Sequence, residues 1–176
     1  NVAMGYQALK SNTTAVNNTS VGSQALLNNT TGASNTALGK NALAANTTGY
    51  WNVAVGWDAM VANTTGAGNI SIGKESLTAM TSGVNDMIAI GTYALQRNTS
   101  GSVNVAVGFT ALKENTTGSS NTAIGHSALN ANTTGASNTA VGTFALDANT
   151  TGAGNVALGR DALTAATVSN NTAIGH

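Results

Sequence analysis

One glycine recurs along this chain at a nearly fixed interval, and that period limits the fold more than any other feature. In the phrase Asn-x-Ala-x-Gly it stands at Gly5, Gly22, Gly39, Gly56, Gly73, Gly91, Gly108, Gly125, Gly142, Gly159 and Gly175. The spacing is 17 throughout, apart from 18 before Gly91 and 16 before Gly175. Ten repeats therefore fill residues 1–176 as a single repeat domain. A short fixed period marks an architecture in which each unit stacks on its neighbours, and two-helix units need roughly 33 residues or more. Starting and stopping mid-pattern, the sequence reads as a segment of a longer fibrous protein.

Positions counted from the anchor glycine fall into columns. Position −1 is always apolar, −3 is always β-branched, and −2 is Ala, or Ser at Ser20 and Ser71. Position +3 is Ala except for Ser76, and +4 is Leu except for Met60. Thr occupies +8 in all ten repeats, with Asn before it in eight; Met80 and Ala166 break that column. The β-branched, Ala, apolar triplet predicts a short strand. The Ala-Leu step at +3 and +4 predicts a second, weaker one. Asn at −4 and +7, with Gly at 0 and +10, predicts corners that tolerate positive φ. Two strands and two corners make one coil of a parallel β-solenoid. Coils stacked about 4.7–4.9 Å apart give a rod roughly 50 Å long over ten repeats. Proline would remove a ladder donor from such a stack, and the chain has none.

Along a strand, −3 and −1 point one way and −2 the other. With Ala at −2, Ala at +3 and Leu at +4 filling a narrow lumen, −1 becomes an outward apolar stripe. Such a stripe is rarely left in water. Side-by-side association, most simply threefold, would cover it through Val55, Ile72, Ile90, Val107, Ile124 and Val141. The alternative turns −1 inward and Ala outward, leaving a monomeric rod.

Charge patterning supports the register. Eleven of the twelve Asp, Glu, Lys and Arg residues fall at +1, +2, +5 or +6; the exception is Asp86, near the one-residue insertion before Gly91. The extra residue is expected in the corner at Val84-Asn85-Asp86, pointing outward. Net charge is zero with only six cations, which excludes extensive phosphate neutralisation and hence nucleic acid. No run approaches 18 apolar residues, so no membrane insertion by this segment is expected. The absence of Cys removes disulfides and thiolate metal sites.

Catalytic constellations are missing, and no enzyme activity, cofactor or metal is expected. His126 and Ser127 are adjacent, but side chains at +1 and +2 diverge and no third group orients the imidazole. Gly66-Ala67-Gly68 and Gly152-Ala153-Gly154 imitate a dinucleotide fingerprint but belong to the repeat's own corner, with no helix following. Asp58 and Glu75 stack beside Asn41 without forming a calcium-repeat pattern. Eight Asn-Thr-Thr or Asn-Thr-Ser sequons occupy the +7 column and read as corners.

The phrases Asn121-Thr122-Ala123-Ile124-Gly125 and Asn155-Val156-Ala157-Leu158-Gly159 resemble the head repeats of trimeric autotransporter adhesins and related bacterial and phage tail-fibre proteins. The resemblance covers the whole chain. It departs from adhesin heads in the longer repeat and the Asn-Thr-Thr-Gly corner. It implies a trimeric, left-handed parallel β-roll in an extracellular fibre, at a cell surface or in a virion or tail fibre, contacting a host-surface glycan or protein receptor. The +1/+2 edge supplies candidate receptor contacts in Lys40, Trp57, Lys74, Tyr93, Phe109 and Phe144, with His126 among them. A second functional class is an ice-binding solenoid using the paired threonines at +8 and +9. Adjacent residues alternate faces, so only one of those two rows is expected to face out, and ladder stacking of Asn and Thr accounts for the column without ice.

Overall fold

The computed structural model describes residues 1–165 and 168–176. Ala166 and Thr167, where the +7 column loses its Asn before the 16-residue spacing, lie outside the described residues. Each repeat contributes one strand of three residues: β1 (Val2–Met4), β2 (Thr19–Val21), β3 (Thr36–Leu38), β4 (Val53–Val55), β5 (Ile70–Ile72), β6 (Ile88–Ile90), β7 (Val105–Val107), β8 (Thr122–Ile124), β9 (Thr139–Val141), β10 (Val156–Leu158) and β11 (Thr172–Ile174). They form one parallel sheet of 11 strands in sequence order, and the chain is a β-solenoid. Like columns pair: Val53 with Ile70, then Ile70 with Ile88 across the 18-residue spacing. The register thus survives the insertion, as expected where a one-residue slip would turn every later side chain over.

The lumen is filled as the columns require. Ala at −2, Ala at +3 and Leu at +4 are fully buried in the central coils, whereas Leu38, Ile72, Ile90, Ile124 and Leu158 at −1 are exposed. The orientation with −1 inward is therefore excluded. Where Ser replaces Ala inside, its hydroxyl finds a carbonyl: Ser20 donates to Ala25 O at 2.8 Å, and Ser71 to Ser76 O at 3.0 Å.

The second strand does not form. Residues +1 to +6 run through linked turns in which the +3 amide donates to the glycine carbonyl and the +5 amide to +2, as in Ala111 to Gly108 and Lys113 to Thr110, both 3.3 Å. Positions +2 and +4 have left-handed φ in all ten coils, for example Thr110 at 54° and Leu112 at 50°. Burial gives the reason. Adjacent residues in a strand face opposite ways, yet Ala111 and Leu112 both lie in the lumen. Reversing φ at +4 turns both inward. It costs about 1–2 kcal/mol for a non-glycine residue, offset by full burial of Leu112 and by its amide donating to Ala128 O of the next coil at 3.0 Å.

The Asn columns also differ from the corner role expected of them. Neither adopts positive φ; the left-handed corner is +12, as at Ser120 (59°) and Ser137 (59°). Asn at +7 and −4 instead point inward as two buried amide ladders. Asn115 Nδ2 donates to Asn98 Oδ1 at 2.7 Å and to Gly118 O at 2.9 Å, and Asn132 repeats the pattern on Asn115 at 2.8 Å. From the other side Asn104 Nδ2 reaches the same Gly118 carbonyl at 2.8 Å. Most of their amide groups are satisfied in the core, where an unpaired one would cost roughly 1–3 kcal/mol; the exception among the described residues is Asn149 Oδ1, at the end of the +7 ladder. From Asn29 to Asn149 the +7 sequon asparagines are fully buried, so the folded coil hides them from glycan transfer.

The insertion breaks both ladders at one level. Thr81 O accepts from Thr64 N, which fixes Thr81 at +8, and Asn69 Nδ2 donates to Val84 O, which fixes Val84 at the usual Gly +10. The extra residue is therefore Gly83, exposed and with φ 67°, and not the expected Val84-Asn85-Asp86 segment. Asp86 occupies an ordinary +12 corner, its amide donating to Ala67 O. Met80, Val84 and Met87 replace Asn, Gly and Asn and are all buried, so an apolar plug fills the space of two amides and a bare α-carbon. Deleting Gly83 should leave the urea midpoint nearly unchanged, within about 0.5 kcal/mol. Deleting Asp86 restores the same period but draws Val84 out of the plug, and should cost about 1–3 kcal/mol through the cavity left behind.

Candidate functional site

Because the coils stack, side chains in one column meet every neighbour along the rod, and the +1/+2 edge becomes a continuous strip. Lys74 Nζ lies 4.7 Å from the Trp57 ring centroid and 5.6 Å from that of Tyr93. Tyr93 meets Phe109 edge-on at 6.1 Å, Phe109 stacks on His126 at 5.3 Å, and His126 meets Phe144 edge-on at 5.1 Å. Six coils are thus joined through side chains that are exposed at Trp57, Lys74, Phe109 and His126 and half-buried at Tyr93 and Phe144. Five of the six sequence-selected contact residues, Trp57, Lys74, Tyr93, Phe109 and Phe144, share this strip. Lys40, one coil earlier, is exposed but lies outside the run of contacts.

The strip carries one exposed cation with neighbours that favour its charge. The Tyr93 hydroxyl, and after it the Glu75 carboxylate 3.5 Å from Nζ, hold the Lys74 ammonium above its ordinary range. A cation over exposed rings contributes roughly 0.5–1 kcal/mol, so the strip is a pre-ordered surface more than a source of stability. It carries no hydrolytic dyad. His126 is sandwiched by Phe109 and Phe144, while the buried Ser127 hydroxyl pairs with Thr110 at 2.9 Å. Asp58 is engaged by Asn41 Nδ2 at 2.8 Å and Glu75 by Gln96 at 2.9 Å. Among the described residues no group of three His, Cys, Asp or Glu is placed to hold a metal ion, and no helix is long and apolar enough to cross a membrane.

A second surface is the sheet's outer face. Two columns, −3 and −1, run side by side along it. From β4 to β7 both are purely aliphatic: Val53 and Val55, Ile70 and Ile72, Ile88 and Ile90, Val105 and Val107. The six stripe residues are exposed at Ile72, Ile90 and Ile124 and half-buried at Val55, Val107 and Val141.

The paired threonines separate by hydrogen bonding more than by exposure, since the +8 row is half-buried in five coils and exposed at Thr13, Thr81, Thr99 and Thr150. Hydroxyls at +8 donate to the +8 carbonyl of the next coil, as Thr47 to Thr64 O and Thr116 to Thr133 O, both 3.0 Å. The +9 row, including Thr48, Thr65, Thr117 and Thr134, is exposed and one residue wide. One feature was missed in the sequence: Tyr50 and Trp51, adjacent at +11 and +12, meet edge-on at 4.9 Å beside an open pocket. Two consecutive aromatics in a chain with only seven were the available signal. In comparisons with protein families, curated proteins and solved structures, nothing matches the chain.

Proposed function

We propose that the chain is a structural and adhesive segment of an extracellular fibre, a left-handed β-roll that trimerises through the outer face of its sheet. The observation that carries this reading is the aliphatic double column from β4 to β7. Eight Val and Ile side chains with no polar neighbour in their own strands, other than Ser71 turned inward, form a flat ridge running with the rod axis. Exposed apolar surface of that continuity marks an association site. A parallel sheet covered on one face only is uncommon, and a threefold arrangement would cover the other. The aromatic strip lies off this face, free to meet a host-surface glycan or protein, and the segment supplies reach and contact without turnover. The exposed threonine row favours ice binding less, because a single file of hydroxyls offers a line where an ice plane needs an area.

Static light scattering at micromolar concentration tests the reading. The expected mass is three times the 17.3 kDa of one chain. A folded, non-associating single chain would overturn trimerisation. Thermal hysteresis abolished by Thr117→Tyr and Thr134→Tyr would put ice binding in place of adhesion.

A further inference from the structure

At the +11 and +12 corner three successive coils carry Tyr50-Trp51, Ala67-Gly68 and, with Gly83 looped out, Asn85-Asp86. The middle pair is the small one. It leaves a notch two coil spacings wide, about 9–10 Å, with an aromatic wall on one side and a polar wall on the other. The notch has a volume of about 180 Å³ and is lined by these six residues. Other coils hold small residues at the same corner, such as Ser119-Ser120 and Ala136-Ser137, with no bulky pairs to flank them; Ala33-Ser34 also borders Tyr50-Trp51, but its other neighbour is Val16-Asn17, which brings no carboxylate.

The walls differ in chemistry. Tyr50 and Trp51 are 46% and 67% exposed and stand at 80° to each other, so an apolar corner faces solvent. Opposite, Asn85 Oδ1 accepts from Ala67 N at 2.8 Å, which fixes the amide and leaves Nδ2 free to donate. Asp86 Oδ1 lies 3.0 Å from where a side chain on Gly68 would begin, so the carboxylate leans over the notch floor. Among the described residues neither Asp86 oxygen has a hydrogen-bond or ion-pair partner. An aromatic corner, an acceptor pair and a lone amide donor therefore converge on one space.

We propose that this notch binds a single pyranose ring of a saccharide. Weakly positive C–H edges on one sugar face suit the electron-rich faces of aromatic rings. Neighbouring hydroxyls, each both donor and acceptor, match the opposite wall: one donates to Asp86 and the next accepts from Asn85 Nδ2. A phosphorylated or anionic ligand is disfavoured by Asp86 with no cation lining the notch. A quaternary ammonium would use the rings and the carboxylate but not the amide. The notch is shallow, so single-site binding is weak, and a fibre carrying several copies gains through multivalency. The notch lies within one chain and does not depend on trimerisation, so light scattering and ligand binding fail independently.

Saturation-transfer NMR on the 176-residue chain tests this, with methyl glycopyranosides of gluco, galacto, manno and N-acetylglucosamine configuration, and with tetramethylammonium as the competing probe. At least one glycoside should receive saturation at its ring C–H protons. Trp51→Ser and Asp86→Ala should each weaken it about tenfold or more. Trp51→Ser copies the corner of Ser34 and Ser120 and so preserves the fold, which circular dichroism checks. Val103→Ser, at the same corner of the next coil, outside the residues lining the notch and off the aromatic strip, should leave binding unchanged. No transfer to any glycoside, transfer surviving Trp51→Ser, or binding of tetramethylammonium alone would each overturn the proposal.

Discussion

Leu112→Asp is expected to cost about 4 kcal/mol or more, while Lys113→Asp, one residue further on, should cost less than about 1 kcal/mol. Leu112 is fully buried, stacked in the lumen between Leu95 and Leu129 of the neighbouring coils. The aliphatic column offers an introduced carboxylate no cation and no spare donor, since the Leu112 amide is already committed to Ala128 O. Lys113 is partly exposed and, among the described residues, its only ion pair is a 3.5 Å contact with Glu114 beside it. Solenoid stability is a sum of coils and the interfaces between them, so a defect in a central coil weakens two interfaces at once. Urea unfolding of the two variants reads the contrast directly; equal costs would place +4 outside the lumen.

The second large effect is Gly125→Ala. Where the native φ/ψ suits alanine, this substitution is mild or stabilising. Here Gly125 has φ 135°, and a Cβ would stand 2.5 Å from Gly142 O and 2.6 Å from Gly142 C. Those are backbone atoms of the next coil, themselves fixed by the stack, so nothing can rotate away. The expected loss is about 3–5 kcal/mol, combining backbone strain with separation of two coils. Ser137→Ala, at a left-handed corner that is not in the lumen, is the contrasting control and should cost less than about 1 kcal/mol. A Gly125→Ala variant as stable as the parent would mean that the glycine column is not where coils touch most closely.

Much of this architecture was legible because a repeat displays each structural requirement ten times. The anchor glycines, the Ala −2, Ala +3 and Leu +4 lumen, the outward −1 stripe and the single parallel sheet all follow from invariant columns. Four features were not legible. The Ala-Leu step looked like a strand because its residue types suit one, yet two adjacent inward side chains demand a φ reversal that composition does not announce. Asn at −4 and +7 looked like turn formers because isolated Asn often is; stacking of the +7 Asn-Thr column as a ladder was legible, but its burial in the lumen and the second ladder at −4 were not. Gly83 was hidden because Asp86 carried the unusual charge, whereas the buried apolar trio Met80, Val84 and Met87 fixes where the register is held. The aromatic strip could be seen column by column, but the Tyr50-Trp51 notch depends on three coils with different contents at one corner.

The central claim is that copies of this chain cover the sheet's outer face, and thiol protection tests it most directly. The chain contains no cysteine, so a single introduced thiol reports one position. Ile124 is 41% exposed in one chain, and Thr134 in the +9 row is likewise exposed. Ile124→Cys and Thr134→Cys would therefore react alike with a soluble disulfide reagent if the rod were single. The assembled fibre segment predicts that the thiol at 124 reacts about a hundredfold more slowly than the one at 134, and that denaturant removes the difference. Equal rates in the native protein would contradict the account, leaving the aliphatic face bare in water.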